Sequence, residues 1–425
     1  MNRIDELIQQ FCPGGVEFKN LGEIIISLKT GLNPRKNFVL NSTDSLNYYV
    51  TVRELNGIGV KFYDKTDRVN NDALKLINNR SNLEMGDVLF SGTGTIGRTA
   101  IVEIEPNNWN IKEGVYAIKP NRKHIISKFL LFYLNSAQAK SQIENKIVGS
   151  PVCSIPMVEL KKISIPIPPL PIQQEIVSIL DKFTSLEAEL EAELEARKKQ
   201  YEYYRNQLLT PVMVNDKWLM NGNEVEWKTL GEIGEFVRGK RFVKDNIVSE
   251  GVPCIHYGEM YTHYHIWTRE SKSFLNPELA TKLRFAHPGD VIIVAAGETI
   301  EDIGLGVAWL GESNIVIHDA CFAFSHNLNP KYVAHYLQTE LFHSQITKHI
   351  SSGKISSINA SGLSKATIPI PSLSEQEQIA DILDKFDILV NDISEGLPAE
   401  IEARRKQYEY YRGKLLNFNG QLTAN

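Results

Sequence analysis

The sequence predicts an α+β protein: two homologous mixed α/β domains joined by two long helices that pair as an antiparallel coiled coil, in a pseudo-two-fold arrangement. Three observations predict it. IPIPPLPIQQEIVSILDKF (165–183) returns as IPIPSLSEQEQIADILDKF (368–386), identical at 12 of 19 positions. EARKKQYEYYRNQLL (195–209) returns as EARRKQYEYYRGKLL (402–416), identical at 12 of 15. A fainter echo runs through the rest, VEFKNLGEI (16–24) answering VEWKTLGEI (225–233) and MGDVLF (85–90) answering PGDVII (288–293). Internal repetition of this kind decides the architecture before any local reading does. It divides the chain into a domain at 1–164, a helical spacer at 165–210, a second domain at 211–367 and a second spacer at 368–425.

Each tail reads as a long helix. Pro166, Pro168, Pro169 and Pro171 stop whatever precedes the first one. Apolar residues then recur at helical spacing: Ile176, Leu180, Phe183, Leu186, Leu190, Leu194, Tyr201, Tyr204 and Leu208. The second tail runs Ile379, Leu383, Phe386, Val390, Ile393, Ile401, Tyr408, Tyr411 and Leu415, with Gly396 and Pro398 expected to kink or break it. A narrow stripe of this length among Glu, Lys and Arg is a coiled-coil seam. In the diverged domains, VEFKNLGEIIISL, NYYVTV and DVLF read as strands bounded by Gly, Asn and Pro. Residues 124–147 read as one amphipathic helix, answered by 330–350.

No apolar run is long enough for a membrane span and the N-terminus lacks the pattern of a signal peptide, so a soluble cytoplasmic protein is expected. The four cysteines form no CxxC pair, which suggests neither a disulfide framework nor a zinc ribbon. The net charge of −5 is unevenly placed. Residues 1–163 carry 21 basic and 16 acidic side chains, 164–210 carry 5 and 8, 211–367 carry 14 and 17, and 368–425 carry 6 and 10. Charge alone does not identify a nucleic-acid protein here.

Three motifs invite chemistry and fail on context. Gly92, Gly94 and Gly97 in SGTGTIGR have GxGxxG spacing, but RTAIVEI follows where a phosphate site needs a helix N-terminus. A tight turn presenting backbone and Arg98 fits better. GEFVRGKR (234–241) approaches a P-loop, yet Arg241 stands where Ser or Thr must hold magnesium. Cys254, His256, His263 and His265 offer metal-ligand chemistry without a second cysteine pair; interleaved with Tyr257, Tyr261 and Tyr264, they fit a binding surface or an exposed loop better than zinc. Neither a metal nor a catalytic constellation is expected.

The duplicated domains, the two repeated tail sequences and the GDV…GTIGR segment closely resemble the specificity subunits of type I restriction–modification systems, over nearly the whole chain. The resemblance implies a non-catalytic protein with two target-recognition domains, each reading one half of a bipartite site in double-stranded DNA. It implies helices that set the spacer between the halves and dock two methyltransferase subunits, which supply S-adenosylmethionine chemistry, with motor-nuclease subunits completing the restriction enzyme. No cofactor is expected on this chain. Phosphates and base edges call for basic and polar loops. The candidates are Lys29, Arg35, Lys36, Arg53 and Arg98 in the first domain, and Arg238, Lys240, Arg241, Lys244 and Lys354 in the second. Tyr201, Tyr204, Tyr408 and Tyr411 are the candidates for helix or partner contact. LEAELEAELEAR (186–197) stands where members of this family carry spacer-setting repeats. A fused methyltransferase–endonuclease would need cofactor and nuclease motifs, and a plain coiled-coil scaffold would leave two large homologous domains unexplained.

Overall fold

In a computed structural model of the chain, residues 6, 7, 10–34 and 37–418 are described. They form two compact units, residues 1–188 with 403–425 and residues 189–402. Each unit therefore combines one domain with pieces of both tails, which a division along the chain does not anticipate.

The first unit opens with β1 (Phe18–Asn20), β2 (Ile25–Thr30), β3 (Asn47–Val50) and β4 (Arg68–Val69), then α1 (Asn71–Ser81). It continues through β5 (Val88–Ser91), β6 (Thr99–Ile101), β7 (Trp109–Ile111) and β8 (Val115–Pro120) to α2 (Ser127–Leu134) and α3 (Ala137–Glu144). β9 (Ser164–Pro166) and α4 (Leu170–Leu209) follow. One sheet has the order β2-β8-β5-β6 and a second the order β4-β3-β7, with β3 parallel to β7. The central β5 is buried at every position, which is why Val88, Leu89 and Phe90 read as an apolar run without alternation. β9 closes back on β1, Ile165 opposite Lys19.

The second unit begins with a small meander, β10 (Val212–Val214), β11 (Lys217–Met220) and β12 (Asn223–Glu224). Then come β13 (Glu226–Thr229), β14 (Gly234–Arg238), β15 (Ile247–Val248), β16 (Val252–Ile255), β17 (Trp267–Thr268) and β18 (Ser273–Leu275). β19 (Phe285–Ala286), β20 (Val291–Val294), β21 (Ala296–Gly297), β22 (Gly306–Trp309), β23 (Ile315–Ile317) and β24 (Cys321–His326) complete the strands before α5 (Pro330–Tyr336) and α6 (Glu340–Ile346). β25 (Ser356–Ser357), β26 (Thr367–Ile370), α7 (Leu373–Asn391) and α8 (Leu397–Leu415) end the chain. The sheet β14-β24-β20-β22-β17 repeats the first unit's main sheet with one strand added, and β15-β18-β16-β23-β19 contains the same parallel pair, β16 with β23. The GDV echo has a physical basis: Asp87 and Asp290, both buried, each accept a backbone N–H three residues upstream, from Glu84 and His287.

Four sequence expectations change. The stretch VEFKNLGEIIISL, expected as strand throughout, is β1 and β2 separated by a 3-10 turn at Leu21–Glu23. The helix expected at 124–147 is two, because Ser136 leaves the helix and its Oγ accepts the Ala139 N–H. The one at 330–350 divides at Thr339 in the same way, its Oγ accepting the Phe342 N–H. Ile393 is not a seam residue; it lies between α7 and α8 and is 81% exposed. The break itself falls where Gly396 and Pro398 lead one to expect it: a Cβ at Gly396 would meet the Ile388 carbonyl oxygen at 2.3 Å.

Within each unit the two tails make the same kind of contact. In the first unit, Phe183 of α4 stacks on Tyr411 at 5.3 Å and lies 6.4 Å from Tyr408. Glu187 then pairs with Arg405 at 2.5 Å, so the helices run antiparallel. In the second unit the roles are exchanged: Phe386 of α7 stacks on Tyr204 at 5.4 Å and Tyr201 at 6.2 Å. Aromatic pairs at such separations add about 0.5–1.5 kcal/mol each beyond area burial. A buried glutamine fastens each domain to its helix. Gln173 Oε1 accepts the Ile126 N–H while its Nε2 donates to the carbonyls of His124 and Pro168. Gln376 Oε1 accepts the Asn329 N–H and its Nε2 donates to Pro371. Ion pairs repeat alongside, Lys128–Asp181 at 2.8 Å and Lys331–Asp384 at 2.6 Å.

Replacing Gln173 or Gln376 with Leu leaves a partly buried N–H without its acceptor, at a cost of about 1 kcal/mol. Hydrogen–deuterium exchange should quicken in the helix start that each one caps, 126–134 for Gln173→Leu and 329–336 for Gln376→Leu, and unchanged exchange there would refute the clamp.

Candidate nucleic-acid interface

In the first unit three loops converge at the ends of the parallel strands. The chain leaves β2 through Gly31, passes so close to β7 that a Cβ would lie 1.7 Å from the Ile111 carbonyl oxygen, and carries Leu32, Asn33 and Pro34 outward. β3 ends in the turn 51–54, and β7 ends in Lys112 and Glu113. A cavity of about 310 Å³ between them is lined by Asn33, Pro34, Tyr49, Thr51, Asp67 and Lys112. Tyr49 donates its hydroxyl to the Leu32 carbonyl at 2.7 Å, and burial pushes its pKa well above the ordinary value.

The second unit builds the same place differently. Gly239 hugs β23, where a Cβ would lie 2.1 Å from the His318 carbonyl oxygen. The loop then presents Lys240, Arg241 and Lys244 and buries Phe242. Phe242 packs edge-on against His318 at 5.1 Å, and His256 and Tyr257 pack on His318 at 4.9 and 5.2 Å. His318 Nε2 donates to the Phe242 carbonyl at 3.0 Å and its Nδ1 accepts the Ala320 N–H at 3.1 Å. Burial pushes its pKa below the ordinary value, against the pull of Asp319 at 3.0 Å and helped by His256 and Arg241.

The candidate cations fall into separate groups. Lys29 lies on β2, half-buried opposite Ala117. Arg35 and Lys36 lie outside the described residues. Arg53 is exposed on its turn and pairs with Asp67 at 2.9 Å. Arg98 is elsewhere, in a cleft shared with Asn56, Asn135 and Lys140. Lys240, Arg241 and Lys244 share the loop facing His318, and Arg238 precedes it as the last residue of β14; Arg238 Nε donates to the Asp319 carbonyl and Lys240 Nζ to the Lys282 carbonyl. Lys354 is exposed on the turn before β25, apart from that group. Tyr201 is buried, and Tyr204, Tyr408 and Tyr411 are partly exposed in the aromatic stacks above. Sequence reasoning missed Lys112, Arg68, whose guanidinium lies over the Tyr48 ring at 4.4 Å, and Arg284, which donates to the Arg238 carbonyl. Register with a neighbouring strand is the only signal that could have found them.

The rejected motifs have other roles. The loop after β5 leads into β6, and its Gly94 N–H donates to the Cys153 carbonyl. No helix starts at Lys240. Cys254 is buried while His263 and His265 are exposed, and among the described residues no three His, Cys, Asp or Glu side chains converge as a metal site requires. No helix among the described residues is long and apolar enough to cross a membrane.

One scaffold is built twice, with different side chains at the same loop cluster. The chain belongs to the type I restriction modification DNA specificity domain family, whose model matches residues 13–196 and again 223–403. It is 39% identical over 271 residues to the type I restriction enzyme EcoR124I/EcoR124II specificity subunit of Escherichia coli, a match covering 61% of this chain and 63% of that protein. A putative type I restriction enzyme specificity subunit of Haemophilus influenzae is 35% identical over 293 residues, 64% of this chain and 68% of that protein. In fold, it resembles a chain from a structure concerned with assembly and conformational transition of the type I R-M system, with a TM-score of 0.60 at 16% identity over 95% of this chain and 98% of that one. The type I restriction–modification S subunit from M. genitalium gives 0.51 at 14% identity, over 95% and 96%.

The His318 geometry has a pH consequence. Its folded pKa lies below the value of about 6.5 expected unfolded, so the neutral ring's contribution is complete above that pH and drains away as pH falls below it. The urea midpoint should therefore drop between pH 7.5 and 5.5, and drop less in His318→Phe. An equal drop in both proteins would show that His318 contributes nothing to acid sensitivity.

Proposed function

We propose that this chain is the sequence-specific DNA-recognition subunit of a type I restriction–modification complex and is itself non-catalytic. Each domain reads one half of a bipartite site, and the helical tails set the unread spacer and dock two methyltransferase subunits. Motor-nuclease subunits join the same assembly, which works in the cytoplasm on double-stranded DNA. The observation that carries this reading is the family match, made once on each copy of the duplicated scaffold. Arg53, Arg238, Lys240, Arg241 and Lys244 contact the duplex at the loop clusters, with Lys29, Arg98 and Lys354 on flanking surface; Arg35 and Lys36, outside the described residues, are assigned to DNA contact from the sequence alone. Tyr201, Tyr204, Tyr408 and Tyr411 stabilise the helices on which the methyltransferases dock. Sequencing adenine methylation in cells that express the chain with its methyltransferase partner should reveal one bipartite motif. Methylation without a bipartite motif, or methyl transfer by the purified chain alone, would overturn the reading.

The tetrads at 186–197 make the spacer testable. Four helical residues add about 6 Å and about 40° of net rotation. One base pair adds about 3.4 Å and roughly 34°. Rotation dominates, because each domain must face its groove. Deleting residues 190–193 should shorten the unread spacer by about one base pair and leave both half-sites unchanged. An active complex with the original spacer would refute the ruler, and altered half-sites would refute the division of labour.

A further inference from the structure

The two units repeat the backbone frame of one turn, and the side chains on it differ apart from one buried glutamate. β3 runs parallel to β7 with Val50 beside Ile111, and β16 runs parallel to β23 with Ile255 beside Ile317. The next residues are Thr51-Val52-Arg53-Glu54 and His256-Tyr257-Gly258-Glu259. Both glutamates are buried, Glu54 1% and Glu259 9% exposed. Glu54 Oε2 accepts the Thr51 N–H at 2.7 Å, and Glu259 Oε2 accepts the His256 N–H at 2.9 Å. The second carboxylate oxygen is held as well, by the Thr66 hydroxyl in one unit and the Ser273 hydroxyl in the other. A carboxylate is costly to bury unless it is fully hydrogen-bonded, and here its bonds all serve to hold a four-residue turn still.

The exposed side chains on these matched frames are unlike. The first turn offers Arg53, its guanidinium oriented by Asp67 and by the Thr51 hydroxyl. The second offers Tyr257, 37% exposed, beside His256. His256 Nδ1 accepts the Gly258 N–H at 3.3 Å, which leaves the ring proton on Nε2 as a donor. Arginine pairs two-pronged with the O6 and N7 of guanine, and single donors suit purine N7 or O6. His318 meets the packing faces of both His256 and Tyr257 and has both ring nitrogens engaged, so it positions those two rings.

We infer that these turns are the base-reading elements of the two domains: Arg53 reads an acceptor-rich purine edge in one half-site, and His256 with Tyr257 reads the other. The inference rests on the proposed DNA-recognition function, and the test separates the two. The full chain is co-expressed with its methyltransferase partner and the methylated motif is read from the host genome; duplexes of that motif are then used for binding. Arg53→Ala should relax one position of one half-site by roughly 10- to 100-fold and leave the other half-site intact. Tyr257→Phe and His256→Gln, which preserve ring packing or side-chain size, should relax the other half-site alone. Variants that methylate the original motif with undiminished discrimination would overturn the inference while leaving DNA recognition standing. Equal weakening on every sequence with a shallower salt dependence would overturn it too, making the turns phosphate contacts. A wild-type chain that directs no bipartite methylation would remove the functional reading itself.

Discussion

A helix with a narrow apolar stripe cannot bury that stripe alone, and each unit here solves the problem with a segment from the other tail. The Phe183 ring of the first tail lies on Tyr408 and Tyr411 of the second, and the Phe386 ring of the second lies on Tyr201 and Tyr204 of the first. Arg412 and Arg205 cover the outer faces of Tyr408 and Tyr201 at 5.0 and 5.3 Å. Neither repeat is therefore a folding unit by itself: the sequence repeat and the compact unit are offset by half a tail. The strict preservation of YEYYR in both copies has a packing explanation in this exchange, before any partner is invoked.

The copies are equivalent in construction without being identical in polarity. Where the first unit has the ion pair Lys128–Asp181 and the buried Phe132, the second has Lys331–Asp384 with His335 added; its Nε2 lies 2.9 Å from Asp384 and its Nδ1 3.3 Å from the Tyr201 hydroxyl. Burial raises the Asp384 pKa, but the bonds from His335 and Lys331 more than offset it, so the carboxylate titrates below its usual range. Both joints carry an ion pair, and the second extends it inward through His335 where the first has the apolar Phe132.

Much of this was legible from residues alone, and the reason differs by element. The repeats, the helical seam, the break at Gly396 and the buried strands DVLF and DVII follow from periodicity and composition, which are local properties. The division of 124–147 was hidden because Phe132, Ala139 and Ile143 keep a helical spacing of buried residues across the cap at Ser136, where one hydroxyl decides the boundary. Arg53 was visible as a cation between strands, but its turn's partner, His256-Tyr257, shares no residue type with it except the capping glutamate. Arg98 and Lys354 looked equivalent to the other cations by charge and loop context, yet the topology places each in a different cluster. Lys112 and His318 become neighbours of these turns only through a parallel strand pairing, and nothing local announces such pairing.

The mild acidity of residues 211–367 is also less opposed to DNA binding than a count suggests. Glu259 and Asp290 are buried and hold backbone N–H groups instead of lying on the exposed surface. Lys240, Arg241 and Lys244 are exposed on one loop, Arg238 is exposed at the end of β14 that leads into it, and Arg284 donates to the Arg238 carbonyl. A polyanion responds to local potential within about 10 Å at ordinary ionic strength, not to a domain's net charge. The arrangement that matters is consequently the one the fold creates: buried carboxylates that stiffen turns, and cations gathered on the loops beside them.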